Sequence, residues 1–338
     1  MKFDATLGPG QLSQAAAIAQ AAEAIGFDGL WTTETAHNPF LPLALAAPST
    51  QRISLGTSIA IAFPRSPMVT AQLAWDLADL SNGRFILGLG TQVKAHITRR
   101  FSTVWDSPGP RLREYILSLR AIWDSFQNNT PLKYEGEFYK FSLLTPFFSP
   151  GPIKTPDIPI YIAGVNEYLC RLAGELCQGF HVHSFHTIRY LREAILPNIE
   201  NGLQKANRKR SDIQLTSGVF VVTGETERAV EDAKSAVKAQ IAFYASTSSY
   251  EPVLEIHGWQ GIGKDLNALS RQGRWAEMAD AISDDMLNEF AVVAPYDQLA
   301  RRVRERYEGL LDRVAYYFEF KAGIEDALWK DAVKTMNA

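Results

Sequence analysis

Carboxylate and imidazole side chains stand directly after short apolar stretches of this sequence, in positions from which they could move protons. Glu34 and His37 follow Leu30–Thr33, and His181 and His183 flank a single valine further along the chain. Because a free imidazole titrates near neutral pH, His37 is predicted to donate or accept the proton of a reaction. Glu34 is predicted as the second candidate for that catalytic role.

The elements that must position these side chains alternate along the chain. Eight apolar or β-branched runs are each followed by a helical pattern, and the predicted strands are 3–7, 30–33, 53–61, 85–89, 158–163, 180–185, 214–222 and 314–320. Parallel neighbours need long return connections, so this alternation favours a parallel sheet with helical crossovers. A doubly wound sheet would carry a glycine-rich first turn, which Pro9 interrupts here. The sequence therefore predicts an α/β fold, a (β/α)₈ TIM barrel.

Two stretches exceed what a minimal barrel needs. We predict one domain over residues 1–338, with insertions after strands four and seven at about 128–157 and 245–295. Insertions of this size commonly build a lid over a site or a contact between subunits. We therefore expect a homodimer.

The two histidines on the sixth predicted strand leave an alternative function open. Residues two apart on a strand face the same side, so His181 and His183 could hold a metal ion in a metal-dependent barrel hydrolase. In hydrolases that resemble amidohydrolases, however, such a pair belongs on the first strand. No clear third metal ligand follows another strand, because Asp4 and Glu34 are assigned other roles in the site. We therefore expect no metal, and we expect His183 to contact a cofactor or substrate.

Composition and charge exclude several classes of partner. The net charge is −3, and the basic residues lie in separate short clusters, which argues against nucleic acid. No apolar run approaches the roughly 18 to 20 residues of a membrane span. The amino terminus lacks the basic-then-apolar pattern of a signal peptide. We expect a cytoplasmic enzyme that acts on a small-molecule substrate and does not bind membranes.

Several motifs resemble those of the bacterial luciferase-like superfamily, and most closely its F420-dependent branch. The motifs are LGTSI at 55–59, GRFILGLGT at 83–91, and AGE at 173–175 followed by Gly179-Phe180. The resemblance implies the deazaflavin coenzyme F420 as cofactor, with FMN as the alternative. It also implies hydride transfer between the deazaflavin and a small organic substrate.

The resemblance assigns roles to residues near the ends of strands three to five. It implies a non-prolyl cis peptide bond at Ser58–Ile59, behind the cofactor ring. Thr91 matches a threonine that hydrogen-bonds the cofactor. The turn Gly164-Val165-Asn166 matches one whose backbone amides hold the cofactor phosphate, consistent with the anion affinity of a helix start. The remaining predicted cofactor contacts are Asp4, Glu34 and His183.

The chain also departs from the sugar-phosphate dehydrogenases of this branch. Where those enzymes have Asp-His after strand two, this chain has Glu34-Thr35, and where they have a glutamate after strand four it has Val93. Their strand-six threonine and lysine align with His183 and His186. Glucose 6-phosphate is therefore not the expected substrate. Two alternative functions remain: an FMN-dependent luciferase-like monooxygenase, and a relative that binds flavin without catalysis.

Overall fold

The computed structural model describes all 338 residues and contains a closed barrel of eight parallel strands. The barrel strands are Lys2–Leu7, Gly29–Thr32, Ser54–Thr57, Phe85–Gly90, Ile160–Gly164, Gly179–Val182, Gln214–Val222 and Arg313–Tyr316. The eighth strand pairs with both the first and the seventh, which closes the barrel. The predicted (β/α)₈ fold is confirmed.

Helices return the chain between the strands and cover the outside of the barrel. Their bounds are Ala15–Ile25, Phe40–Ala46, Pro67–Leu80, Pro108–Asn128, Glu167–Leu176, Ile188–Tyr190, Leu196–Lys205, Glu227–Ala245, Tyr296–Tyr307 and Asp326–Asn337. The sequence predicts one helix over 188–205, but a π-helical turn, Leu191–Ile195, interrupts it. Pro197 explains the interruption, because it has no N–H to donate to the carbonyl four residues earlier. The structure contains no helix that combines the length and apolar character of a membrane span.

The insertion after the fourth strand carries a short hairpin, as the sequence predicts. Its strands are Tyr134–Glu135 and Lys140–Phe141, paired antiparallel. The turn is fastened to the preceding helix by Glu114, whose carboxylate accepts the backbone N–H groups of Glu137 and Phe138, each at 2.8 Å.

The insertion after the seventh strand is mostly helical. Its helices are Glu251–Glu255, Gln260–Arg271, Trp275–Met278 and Asp284–Phe290. It also contains a strand that the sequence analysis missed, Ala291–Val293, which pairs in parallel with Phe220–Val222. The seventh strand has nine residues and extends past the barrel, so its free edge accepts this addition.

The third strand is broken where the sequence predicts a continuous run. Leu55 pairs with Phe85 and Ala60 with Leu89, so five steps along the third strand match four along its neighbour. The extra residue forms a bulge at the carboxyl end of the strand. The bulge contains the Ser58–Ile59 peptide bond, which is cis, as predicted.

Candidate active site

Two cavities open at the carboxyl ends of the barrel strands, where barrel enzymes place their sites. The strand-four cavity, of about 850 Å³, is lined by residues that include Ile59, Thr91 and His183. The strand-eight cavity, of about 740 Å³, is lined by residues that include Ser58 and His181. Ser58 and Ile59 are adjacent in the bulge and therefore face different cavities. The same is true of His181 and His183 on the sixth strand.

The strand-four cavity gathers most of the predicted cofactor contacts. Ile59, Thr91, Gly164, Val165, Asn166 and His183 all line it. Asn166 caps the helix Glu167–Leu176, because its side-chain oxygen accepts the N–H of Leu169 at 2.9 Å. The first N–H groups of a helix have no acceptor within the helix, so this end of the cavity presents hydrogen-bond donors.

His183 connects this cavity to the second insertion. Its Nδ1 accepts the backbone N–H of Phe185 at 3.1 Å, and its Nε2 lies 3.1 Å from the Tyr250 hydroxyl oxygen. With Nδ1 accepting, the proton of the neutral ring is on Nε2, which donates to Tyr250. Burial lowers the pKa of His183 to about 3, so the ring is uncharged at neutral pH. The rings of His183 and Tyr250 lie 4.6 Å apart, and this contact holds the insertion over the cavity.

Ser58 and His181 form a pair in the wall of the strand-eight cavity. The Ser58 Oγ lies 3.3 Å from His181 Nδ1. Burial, with a smaller contribution from the charge of Arg313, lowers the pKa of His181 to about 3. The pair is therefore an uncharged hydroxyl–imidazole contact. The sequence analysis singled out each residue but did not connect them.

Asp4 reaches neither cavity. Its carboxylate receives two hydrogen bonds from Arg313, at 2.7 and 2.8 Å, and a third from the indole N–H of Trp31 at 2.8 Å. Both partners of the ion pair are essentially without solvent contact. The structure thus places Asp4 in the barrel interior, below the predicted cofactor contacts. Sequence reasoning missed Arg313, although an arginine at the start of an otherwise apolar strand can signal a buried ion pair.

Glu34 is committed to neighbouring groups at the barrel mouth. Arg65 binds both carboxylate oxygens, at 2.7 and 2.8 Å, and the backbone N–H of Ile61 donates to one of them at 2.6 Å. This carboxylate therefore fastens the segment just after the bulge. These contacts give Glu34 a positioning role. Each of its carboxylate oxygens already accepts a hydrogen bond within the protein, so neither is reserved for a ligand.

His37 lies apart from the other predicted site residues. It is exposed and lines a third cavity of about 280 Å³, together with Gly10 and Thr33. Thr33 also lines the strand-eight cavity, so the two spaces adjoin. The structure places the predicted proton donor beside the barrel mouth, outside both large cavities.

The hydrolase alternative lacks a ligand set. No group of three or more histidine, cysteine, aspartate or glutamate side chains is placed to hold a metal ion. His181 and His183, proposed as the metal pair, line different cavities and have different hydrogen-bond partners.

Comparison with known sequences identifies relatives that span most of the chain. A sequence profile described as luciferase-like monooxygenase matches residues 1–313. An uncharacterised protein of Mycobacterium tuberculosis is 45% identical over 94% of this chain and 93% of its own length. The 5,10-methylenetetrahydromethanopterin reductase of Archaeoglobus fulgidus is 28% identical over 84% of this chain and 83% of its own.

Solved structures share the barrel. The F420-dependent tetrahydromethanopterin reductase from Methanopyrus kandleri superimposes with a TM-score of 0.80 at 21% identity, covering 99% of this chain and 98% of that one. The oxygenating constituent of 3,6-diketocamphane monooxygenase from Pseudomonas putida, solved with FMN, gives a TM-score of 0.68 at 17% identity, covering 99% and 96%. These similarities establish the fold.

Proposed function

The chain belongs to the luciferase-like monooxygenase family, and from that premise we propose that it is an F420-dependent oxidoreductase. It would transfer a hydride between bound deazaflavin and a small organic substrate. The observation that carries the proposal is the gathering of Ile59, Thr91 and Gly164–Asn166 around one cavity of about 850 Å³. Its support among relatives is the methylenetetrahydromethanopterin reductase and a putative coenzyme F420-dependent oxidoreductase of Mycobacterium tuberculosis, 29% identical over 85% of this chain and 86% of its own length.

The walls of the strand-four cavity fit a flat tricyclic ring. Cavities of about 300 to 1,000 Å³ are typical for organic cofactors. Gly90 lies against Ile59, and a Cβ added at Gly90 would stand 2.6 Å from the isoleucine side chain. The glycine therefore lets Ile59 fold over the fourth strand and present an apolar surface. Such a surface would support one face of the ring.

The far end of the same cavity fits a phosphate. Val165, Asn166 and Glu167 line it where the helix Glu167–Leu176 begins. The unpaired N–H groups and the positive end of the helix dipole favour an anion at this position. The cofactor phosphate would be held here by backbone amides, with Thr91 beside the ring.

The chain's own residues then position the reaction. When bound, the deazaflavin supplies the carbon that accepts or donates the hydride. Glu34 and Arg65 hold the bulge that carries Ile59, and His183 with Tyr250 holds the insertion over the cavity. Hydride transfer requires the substrate carbon within about 3 to 3.5 Å of the ring. We assign the accompanying proton to His37, because its cavity adjoins the strand-eight cavity at Thr33.

Titration of the purified protein with F420 and, separately, with FMN tests the proposal. We expect micromolar binding of F420, followed by its fluorescence, and weaker binding of FMN. Thr91→Val should weaken F420 binding, whereas Thr70→Val, in a buried helix position outside the cavity, should not. Micromolar FMN binding without F420 binding would contradict the proposal and favour an FMN-dependent monooxygenase. The expected homodimer is checked separately, by light scattering of the eluted protein.

A further inference from the structure

We propose that a groove on the outside of the barrel binds an anionic chain of the cofactor, the run of γ-linked glutamates that F420 carries beyond its phosphate. The inference rests on the proposed function, because it names the occupant as part of F420. The groove has a volume of about 440 Å³ and is lined by residues of the helices Pro108–Asn128, Glu167–Leu176 and Leu196–Lys205. FMN ends at its phosphate, so an occupied groove distinguishes the two candidate cofactors.

The groove adjoins the phosphate end of the strand-four cavity. Tyr168 lines both spaces, and it follows Asn166 and Glu167 at the start of its helix. The Tyr168 ring lies against the first turn of a neighbouring helix at Gly109, where an added Cβ would stand 2.6 Å from the ring. A chain that leaves the phosphate position therefore passes Tyr168 and enters the groove.

The groove follows this helix away from the barrel mouth. Leu172 and Glu175 line it about one and two turns beyond Tyr168, so it extends for about 10 Å along the helix axis. That length accommodates a short chain of glutamates. Each glutamate of such a chain places one carboxylate along the groove.

The charge of the groove favours an anion. Its cations, Arg113, Arg171 and Lys205, come from three different helices and outnumber its single carboxylate, Glu175. Glu175 is 10% exposed and accepts Arg113 at 2.6 Å and Lys205 at 2.8 Å, whereas the side chains of these two cations are 36 and 69% exposed. The buried carboxylate therefore fixes two exposed cations in place. A ligand that binds to them loses less side-chain freedom than at mobile surface residues.

Both arginines keep hydrogen-bond donors that no group of the protein uses. Arg113 donates to Glu175 through Nη1 alone. Arg171 donates to Glu167 and Asn198, also through Nη1 alone. The pair with Glu167 is weak, because that side chain is 71% exposed. The remaining guanidinium N–H groups are free to bind ligand carboxylates, which they do with two parallel hydrogen bonds.

Fluorescence titration of the full-length protein with two forms of F420, one without glutamates and one with several, tests the inference. We expect the form with glutamates to bind about tenfold more tightly at low salt, and this advantage to shrink as the salt concentration rises. Arg171→Gln should weaken binding of that form about threefold, and Arg171→Glu about tenfold. Neither variant should change binding of the form without glutamates. Arg189→Gln is the matched control, because Arg189 also pairs with a glutamate four residues away at 3.1 Å but lies outside the groove.

An oligo-γ-glutamate peptide without the deazaflavin gives a second readout. In ¹⁵N spectra we expect this peptide to shift the Nε resonances of Arg113 and Arg171, and Arg171→Glu to reduce the shift at Arg113. The inference is overturned if both forms of F420 bind equally, if Arg171→Gln and Arg189→Gln act alike, or if the peptide shifts neither resonance. Failure of both forms of F420 to bind would contradict the proposed function as well, whereas a failure confined to the difference between the forms would overturn the groove alone.

Discussion

Two carboxylate–arginine pairs connect distant segments of the same barrel: one pair joins two strands in the interior, and the other joins two loops at the mouth. Asp4–Arg313 and Glu34–Arg65 are both two-pronged contacts with shortest separations of 2.7 Å. The interior side chains are 0 and 1% exposed, whereas those at the mouth are 7 and 15% exposed. The same type of ion pair therefore occurs in two environments that differ in solvent exposure.

Their third partners separate the two functions. Asp4 also accepts the indole N–H of Trp31, so its contacts join side chains of the first, second and eighth strands. Glu34 instead accepts the backbone N–H of Ile61 and so holds the bulge between the two cavities. The interior pair supports the barrel, and the mouth pair positions the site. Loss of either carboxylate should reveal this difference.

The largest effect is expected from Asp4→Ala. It leaves the Arg313 charge buried without a partner, which should lower the free energy of unfolding by about 3 to 5 kcal/mol. Urea unfolding measures the loss. The double variant Asp4→Leu with Arg313→Met should recover much of it, because no unpaired charge remains. A single variant as stable as the natural chain would show that the interior pair does not support the barrel.

The buried histidines extend the comparison to pH. Burial lowers the pKa of His181 and His183 to about 3 and that of His186 to about 4, below the usual value for histidine. As the pH falls below about 6.5, the unfolded chain binds protons at these histidines that the folded protein does not bind, so stability falls, until about pH 4 for His186 and about pH 3 for His181 and His183. Each such histidine contributes about 1.4 kcal/mol per pH unit across this window.

Urea unfolding at a series of pH values between 4 and 7 checks this slope. His186→Phe should make the slope shallower, because one histidine that resists protonation is removed. His37→Asn, at the exposed mouth, serves as the comparison variant. A stability that is flat across the window would contradict the assignment of the three rings as neutral interior groups.

The smallest effect on stability is expected from Glu34→Gln. Loss of the charge weakens the hold on Arg65 and Ile61, which should lower the free energy of unfolding by about 1 to 2 kcal/mol. F420 affinity should fall about tenfold as the bulge loosens, a difference of about 1.4 kcal/mol. Glu114→Gln is the matched control, since Glu114 also holds backbone N–H groups but in the hairpin. Equal F420 affinity in both variants would remove the positioning role of Glu34.

The sequence by itself determined the barrel and the places of both insertions. These features follow from a local property, the alternation of apolar runs with helical patterns. The motif resemblance also located the bulge at Ser58–Ile59. It did not predict that the adjacent residues would face different cavities.

Only the tertiary structure decided which polar groups meet. Asp4 and Glu34 are both predicted cofactor contacts, yet one is sealed in the barrel and the other holds a loop. Their partners follow from closure of the barrel, which brings Arg313 to Asp4 across 309 positions and His181 to Ser58 across 123. Local patterns carry no information about such partners, because burial and hydrogen bonding arise only when distant strands become neighbours.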